Sequence, residues 1–137
     1  MFVDASAIVA ILTREPEADV LTDLLEGARS PVTSAIAVFE SVLGICRKRQ
    51  ATIAEATADV QDFLQVANVA TLPITAAEAK TALAAFARYG KGRGHPAQLN
   101  LGDCFAYAVA SNHQASMLFK GSDFEKTDIP AAAAPPR

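Results

Sequence analysis

The sequence predicts an α/β fold: a central parallel sheet flanked by helices, a three-layer sandwich. Two observations carry this. Short apolar runs bounded by turn residues alternate along the chain with longer segments of helical spacing, the order expected when parallel strands are joined by helical crossovers. Acids also recur at the junctions between those elements, where open parallel sheets build their sites, in the crevice beyond the carboxyl ends of the strands.

The composition suits one such domain. With 137 residues, 51% of them hydrophobic and 20% charged, the chain can bury a real core. No linker or internal repeat divides residues 1–129, while 130–137 is an Ala- and Pro-rich stretch expected to fray as a disordered tail. A formal net charge of −3 argues against nucleic-acid binding by bulk charge and leaves room for a local basic patch. No apolar run approaches the roughly 20 residues of a membrane span, and Phe2-Val3 runs straight into Asp4 with no basic region before it. A cytoplasmic protein without a signal peptide is the expectation. Cys46 and Cys104 occur singly, without zinc or redox spacing, and read as small buried hydrophobes.

The elements follow in order. Phe2-Val3 ends a buried strand, and Ser6 suits the N-cap of a helix through Leu12. Thr13-Arg14-Glu15-Pro16 breaks the pattern, and Pro16 heads a helix from Glu17 to Ala28 whose apolar face is Val20, Leu21, Leu24 and Leu25. Those residues are expected to make a partner surface, with core as the alternative. Ser30-Pro31-Val32-Thr33 turns into a short extended segment, after which Ser34 caps a helix over Ala35 to Arg49 with a stripe of Ile36, Phe39, Leu43 and Cys46. Glu40 borders that stripe. Arg47-Lys48-Arg49 complements the dipole at the helix C-terminus, a role that competes with anion binding.

Thr52-x-x-Glu55 and Thr75-x-x-Glu78 are capping boxes, marking helices that run to about Ala67 and to Tyr89 before Gly90. Between them Val69 to Ile74, interrupted by Pro73, reads as an edge strand. Gly90 to Gln98 is a Gly-rich, basic, mobile loop whose Lys91, Arg93 and His95 either contact a polyanion or serve solubility; it lacks the order of a phosphate-cradling P-loop. Asp103 lies in the first turn of a largely buried helix through Ala110, closed by Asn112-His113. Ser116 to Phe119 is a last strand, and Asp123 stands beyond its end.

Asp4, Glu40, Asp103 and Asp123 are the candidate site. Each has a bland alternative as a helix-end or boundary carboxylate. Gathered in one crevice they would repel unless a cation were bound, and hard oxygen donors suit Mg²⁺ or Mn²⁺, ions that activate water and stabilise a phosphodiester under attack.

Phe2-Val3-Asp4-Ala5-Ser6, Val38-Phe39-Glu40, Leu101-Gly102-Asp103-Cys104-Phe105-Ala106-Tyr107-Ala108 and Lys120-Gly121-Ser122-Asp123-Phe124 occur in the order of PIN domains, and the chain resembles a VapC-type toxin. The resemblance covers residues 1–129. It implies a PIN-like fold, Mg²⁺- or Mn²⁺-dependent endoribonuclease activity, a VapB-type antitoxin as partner and a homodimer. Carried over by position, Asp4, Glu40, Asp103 and Asp123 become the catalytic and metal-binding acids, and Ser6 orients Asp4 or the nucleophilic water. Family members often place two acidic or amide residues before the Phe, where this chain has Ser122-Asp123. Either the Asp123 carboxylate closes the site or a serine and water fill that corner.

Two other functions compete. In a phosphatase or receiver domain Asp4 would itself be phosphorylated, with Lys120 as supporting cation. Against this, Ser6 replaces the second acid of such phosphatases and no acidic pair ends the first strand. The other alternative is a catalytically degenerate PIN domain acting as an RNA- or partner-binding module, which the presence of the first three acids disfavours.

Overall fold

The computed structural model describes residues 1–133. Four strands form one parallel sheet in the order β3-β2-β1-β4: β1 Phe2–Val3, β2 Val32–Ser34, β3 Ala70–Leu72 and β4 Met117–Leu118. Six helices join them: α1 Ala5–Leu12, α2 Ala18–Glu26, α3 Ala35–Arg49, α4 Ile53–Val66, α5 Ala76–Tyr89 and α6 Leu101–Asn112.

Successive residues of a strand face opposite sides of a sheet, so β1 and β4 show how the layers form. Phe2 and Met117 enter one core with α5 and α6, while Val3 and Leu118 enter another with α1, α2 and α4. All four side chains are buried, as in a parallel sheet covered on both faces. Thr33, also fully buried, donates its hydroxyl to the Val3 carbonyl at 2.8 Å, tying β2 to β1.

The predicted alternation is present, and β3 lies at the sheet edge where Pro73 places it. Several local readings change. Asp4, with extended backbone, is the N-cap of α1, and Ser6 lies inside the helix. Leu21 and Leu25 of α2 are core, leaving Val20 as the outward residue of the predicted apolar face. In α3 the buried face is Ala37, Ser41, Val42, Gly44 and Ile45, and Phe39 is exposed. The stripe is rotated because α3 must approach its neighbours closely: a Cβ on Gly44 would stand 2.8 Å from Val9 Cγ2 of α1.

The Gly90 to Gln98 segment is built rather than loose. Gly90 and Leu99 bridge, Lys91 N–H donates to the Leu99 carbonyl at 2.9 Å, and the His95 ring packs edge-on to Tyr89 at 4.8 Å. Pro130 to Ala132 are likewise held: Met117 N–H donates to the Pro130 carbonyl and Ala132 N–H to the Met117 carbonyl, each at 2.8 Å. The expected frayed tail is thus anchored over its first residues, and its remainder, 134–137, lies outside the described residues. No helix among the described residues is long and apolar enough to cross a membrane.

Candidate active site

β1 leads into α1 and β2 on one side of the sheet, while the chain returns to the other side of β1 only with β4. The direction of winding therefore switches between β1 and β4, and the crevice at their carboxyl ends is where such a fold places its site. An open cleft of about 320 Å³ lies there, lined by all four predicted acids: Asp4, Glu40, Asp103 and Asp123.

Each acid arrives on a different element. Asp4 follows β1 and is 6% exposed; its Oδ2 accepts from the Ser6 N–H at 3.0 Å and the Ser6 hydroxyl at 2.6 Å. The Ser6 hydroxyl oxygen in turn accepts the Lys120 N–H at 3.0 Å, so the segment beyond β4 is fastened to the residue that orients Asp4. Asp103 is the N3 residue of a capping box: its Oδ2 accepts the Asn100 N–H at 3.1 Å, and its own N–H donates to Asn100 Oδ1 at 2.9 Å. Glu40 leaves α3 and lies against α6 where Gly102 has no side chain; a Cβ there would sit 2.1 Å from Glu40 Oε2. Asp123 precedes Phe124, which is buried in the core and packs edge-on to Phe119 at 5.4 Å.

The charges oppose one another. Burial pushes the Asp4 carboxyl above its ordinary range against the Ser6 hydrogen bonds, and nearby Asp123 adds to the rise. Glu40 is pushed up to about 7, first by burial and then by Asp4 and Asp103. Asp103 is pushed up to about 6, chiefly by burial, with Asp123 and Asp4 adding to it. Like charges within a few ångströms of one another have this effect in the absence of a cation.

Among the described residues no three of these acids form a ready-made ligand cage. Asp4 and Asp103 each commit Oδ2 to an N-terminal cap bond, leaving the other oxygen of each free. The donor set itself, hard carboxylate oxygens in one cleft, suits Mg²⁺ or Mn²⁺.

Three cations share the cleft: Arg47 and Lys48 from the end of α3, and Lys120. Of the basic residues expected to meet RNA, Lys91, Arg93 and Arg47-Lys48-Arg49, only Arg47 and Lys48 line it. Lys120 does not stand as a lone partner of Asp4, as a phosphorylated aspartate would require. Its ammonium bonds Glu15 Oε2 at 2.9 Å and lies 3.3 Å from Glu17 Oε2. Glu15, the fifth acid of the cleft, escaped sequence reasoning because it lies in a turn with no periodicity or motif to mark it.

Comparison with known proteins adds the following. The family model for the PIN domain matches residues 1–130. A VapC ribonuclease of Rhizobium meliloti (strain 1021) is 40% identical over 139 residues, covering 93% of this chain and 98% of its own. The ribonuclease VapC of Mycolicibacterium smegmatis is 42% identical over 134 residues, covering 96% and 98%. Among solved structures, Mycobacterium tuberculosis VapC20, titled a Sarcin-Ricin loop cleaving toxin, superposes with a TM-score of 0.76 over 98% of both chains at 15% identity, a likeness of fold.

Proposed function

The chain belongs to the PIN-domain family, and we propose that it acts as a VapC-type toxin, an endoribonuclease that hydrolyses RNA phosphodiester bonds in a divalent-metal-dependent reaction. The observation that carries this is the convergence of Asp4, Glu40, Asp103 and Asp123, from four separate elements, on one cleft at the switch point of the sheet. Nothing about stability calls for four mutually repelling carboxyls in one place; a cation and a phosphate do.

Asp4 and Asp103 are the primary ligands of the ion, Mg²⁺ or Mn²⁺, and Glu40 and Asp123 complete its surroundings or orient water. A bound divalent ion supplies a polarised water and offsets charge developing on the phosphate oxygens. The protein's own contribution is placement. Ser6 fixes the Asp4 carboxylate through Oδ2, and Asn100 fixes that of Asp103. Glu40 sits at the α3–α6 seam, where its carboxylate lines the cleft and is the residue to accept a proton from the attacking water.

The partners that accompany this reading are an RNA substrate, a VapB-type antitoxin and a second copy of the chain in the cytoplasm. Support for a homodimer comes from a groove of about 380 Å³ between α5 and α6, lined by Ala79, Ala82, Leu83, Phe86, Leu101, Cys104 and Phe105. Leu83 is 72% exposed and Leu101 68%, so large apolar side chains at this groove face water.

Asp103→Asn removes one charge while its side-chain oxygen can still accept the cap bond. The variant should lose at least a hundredfold in RNA cleavage and all toxicity, with its metal-free fold intact. Cleavage by the wild type should stop in excess EDTA and return with Mg²⁺ or Mn²⁺. Cutting at the wild-type rate by purified Asp103→Asn protein, or persistence in EDTA, would exclude the metal-nuclease reading.

A further inference from the structure

The rim of the cleft carries an arrangement that the four acids do not explain. Glu15, whose side chain is only 12% exposed, bonds Lys120 through Oε2 and Lys48 through Oε1. The two lysines come from distant parts of the chain, the last turn of α3 and the segment after β4, and both line the cleft. We propose that Lys48 and Lys120, held side by side by Glu15, form a binding site for a phosphate of the RNA strand next to the one being cut, and that Glu15 is the positioning residue of that site. The proposal rests on the ribonuclease reading above and specifies how the substrate is seated.

A cleft holding Asp4, Glu40, Asp103 and Asp123 repels a polyanion, on a chain that is already acidic overall. A strand of RNA is drawn in only where cations stand close to the acids. Bringing two ammonium groups together costs free energy that a carboxylate between them offsets, which is what Glu15 supplies. Each ammonium has three N–H donors. Lys48 gives one to Glu15 and is 47% exposed; Lys120 gives one to Glu15, lies near Glu17, and is 37% exposed, so both keep donors facing the cleft and solvent.

A purely structural role fits less well. Both lysine ends are open to water, 47% and 37% exposed, where the attraction of an ion pair is weakened by solvent and salt. The backbone of Lys120 is already secured without its side chain, through the N–H to Ser6 bond at 3.0 Å. Glu15 also stands where it can be rigid. Its N–H donates to the Ala10 carbonyl at 2.9 Å, and Arg14 before it takes a left-handed backbone (φ 57°) that turns the chain back over α1.

The test uses the full chain and a labelled single-stranded RNA of mixed sequence. Cleavage by the wild type in Mg²⁺, and its loss in EDTA, establishes the ribonuclease reading independently; failure there defeats that reading and not the arrangement of the lysines. Binding of the same RNA to the Asp103→Asn form, with and without Lys48→Met and Lys120→Met, tests the site whether or not cleavage occurs. The double lysine variant should bind at least tenfold more weakly, and its log–log salt slope should be shallower by about 0.7, the contribution of one phosphate on a single strand. With cleavage intact, KM should rise about tenfold and kcat stay within threefold, the signature of lost uniform binding. Glu15→Gln keeps both lysine charges, so it should raise KM severalfold without losing salt slope, and Glu15→Asp should recover part of the loss. Unchanged RNA affinity and slope in the double lysine variant would overturn the proposal. So would a Glu15→Gln protein that merely melts lower, or lysine variants that bind RNA normally but escape an antitoxin, which would make this a protein-docking site.

Discussion

Two kinds of carboxyl coexist in this protein, and their responses to pH have opposite signs. Glu40 and Asp103 are pushed up to about 7 and about 6. The folded chain then holds more protons than the unfolded one between roughly pH 4 and 7, so in the absence of metal stability is greatest at the low end and falls as pH rises through that window. Glu78 is the opposite case. Hydrogen bonds from Asn112 and Thr75 pull it down to about 2, so its contribution is full above its unfolded value near 4.5 and is lost as pH falls toward 2. Thermal melting in EDTA should therefore show a maximum near pH 4 to 5. Adding Mg²⁺ should raise the melting temperature on the alkaline side only, and Glu78→Gln should flatten the acid side only. A metal-free melting temperature that keeps rising from pH 5 to 8 would show that the four acids do not repel as described.

At the level of elements, two glycines make contrasting predictions. Gly102, in the first turn of α6, leaves room for the far end of the flexible Glu40 side chain. Gly102→Ala should leave the melting temperature unchanged or slightly higher, since Ala favours a helix by about 1 kcal/mol. Cleavage should nonetheless fall at least tenfold, because the Glu40 carboxylate must vacate its position. Gly44→Ala instead drives a methyl into Val9, whose branched side chain is stiff, at the α1–α3 seam. It should cost about 1–3 kcal/mol of stability, read by denaturant unfolding. The same seams explain what sequence could and could not reveal. Thr52 and Thr75 announce their helices because T-x-x-E is a strong local signal, whereas the Asn100–Asp103 box uses Asn and Asp and goes unassigned. Period counting locates apolar residues such as Phe39, but the buried face of α3 was chosen for smallness at Ala37, Ser41 and Gly44. That Asp4, Asp103 and Asp123 would meet at one cleft was legible from their places at element junctions, whereas Glu40, inside α3, was marked by the border of an apolar stripe and the family order. Glu15 was not, since its role exists only once residues 48 and 120 are brought to it.

For the whole molecule, self-assembly has a direct measurement. If the α5–α6 groove is the self-contact, Leu83→Glu should convert a dimer into a folded monomer by light scattering, with an unchanged circular-dichroism spectrum. A wild type that is monomeric at high concentration, or a Leu83→Glu protein that remains dimeric, would remove that face from consideration. Other behaviour of the molecule follows from the order in which its parts occur along the chain. β1 is an internal strand whose neighbours are β2 and β4, and the Lys120 to Ser6 bond joins residues 114 positions apart. A ribosome releases the first acid early and the last one late. Until residue 123 has been added, a growing chain holds at most three of the four carboxyls, and until β4 has been added β1 has a neighbour on one side alone. That order acts as a safeguard during synthesis: a translation product interrupted before residue 117 has neither the strand that completes the sheet around β1 nor the last acid of the cleft.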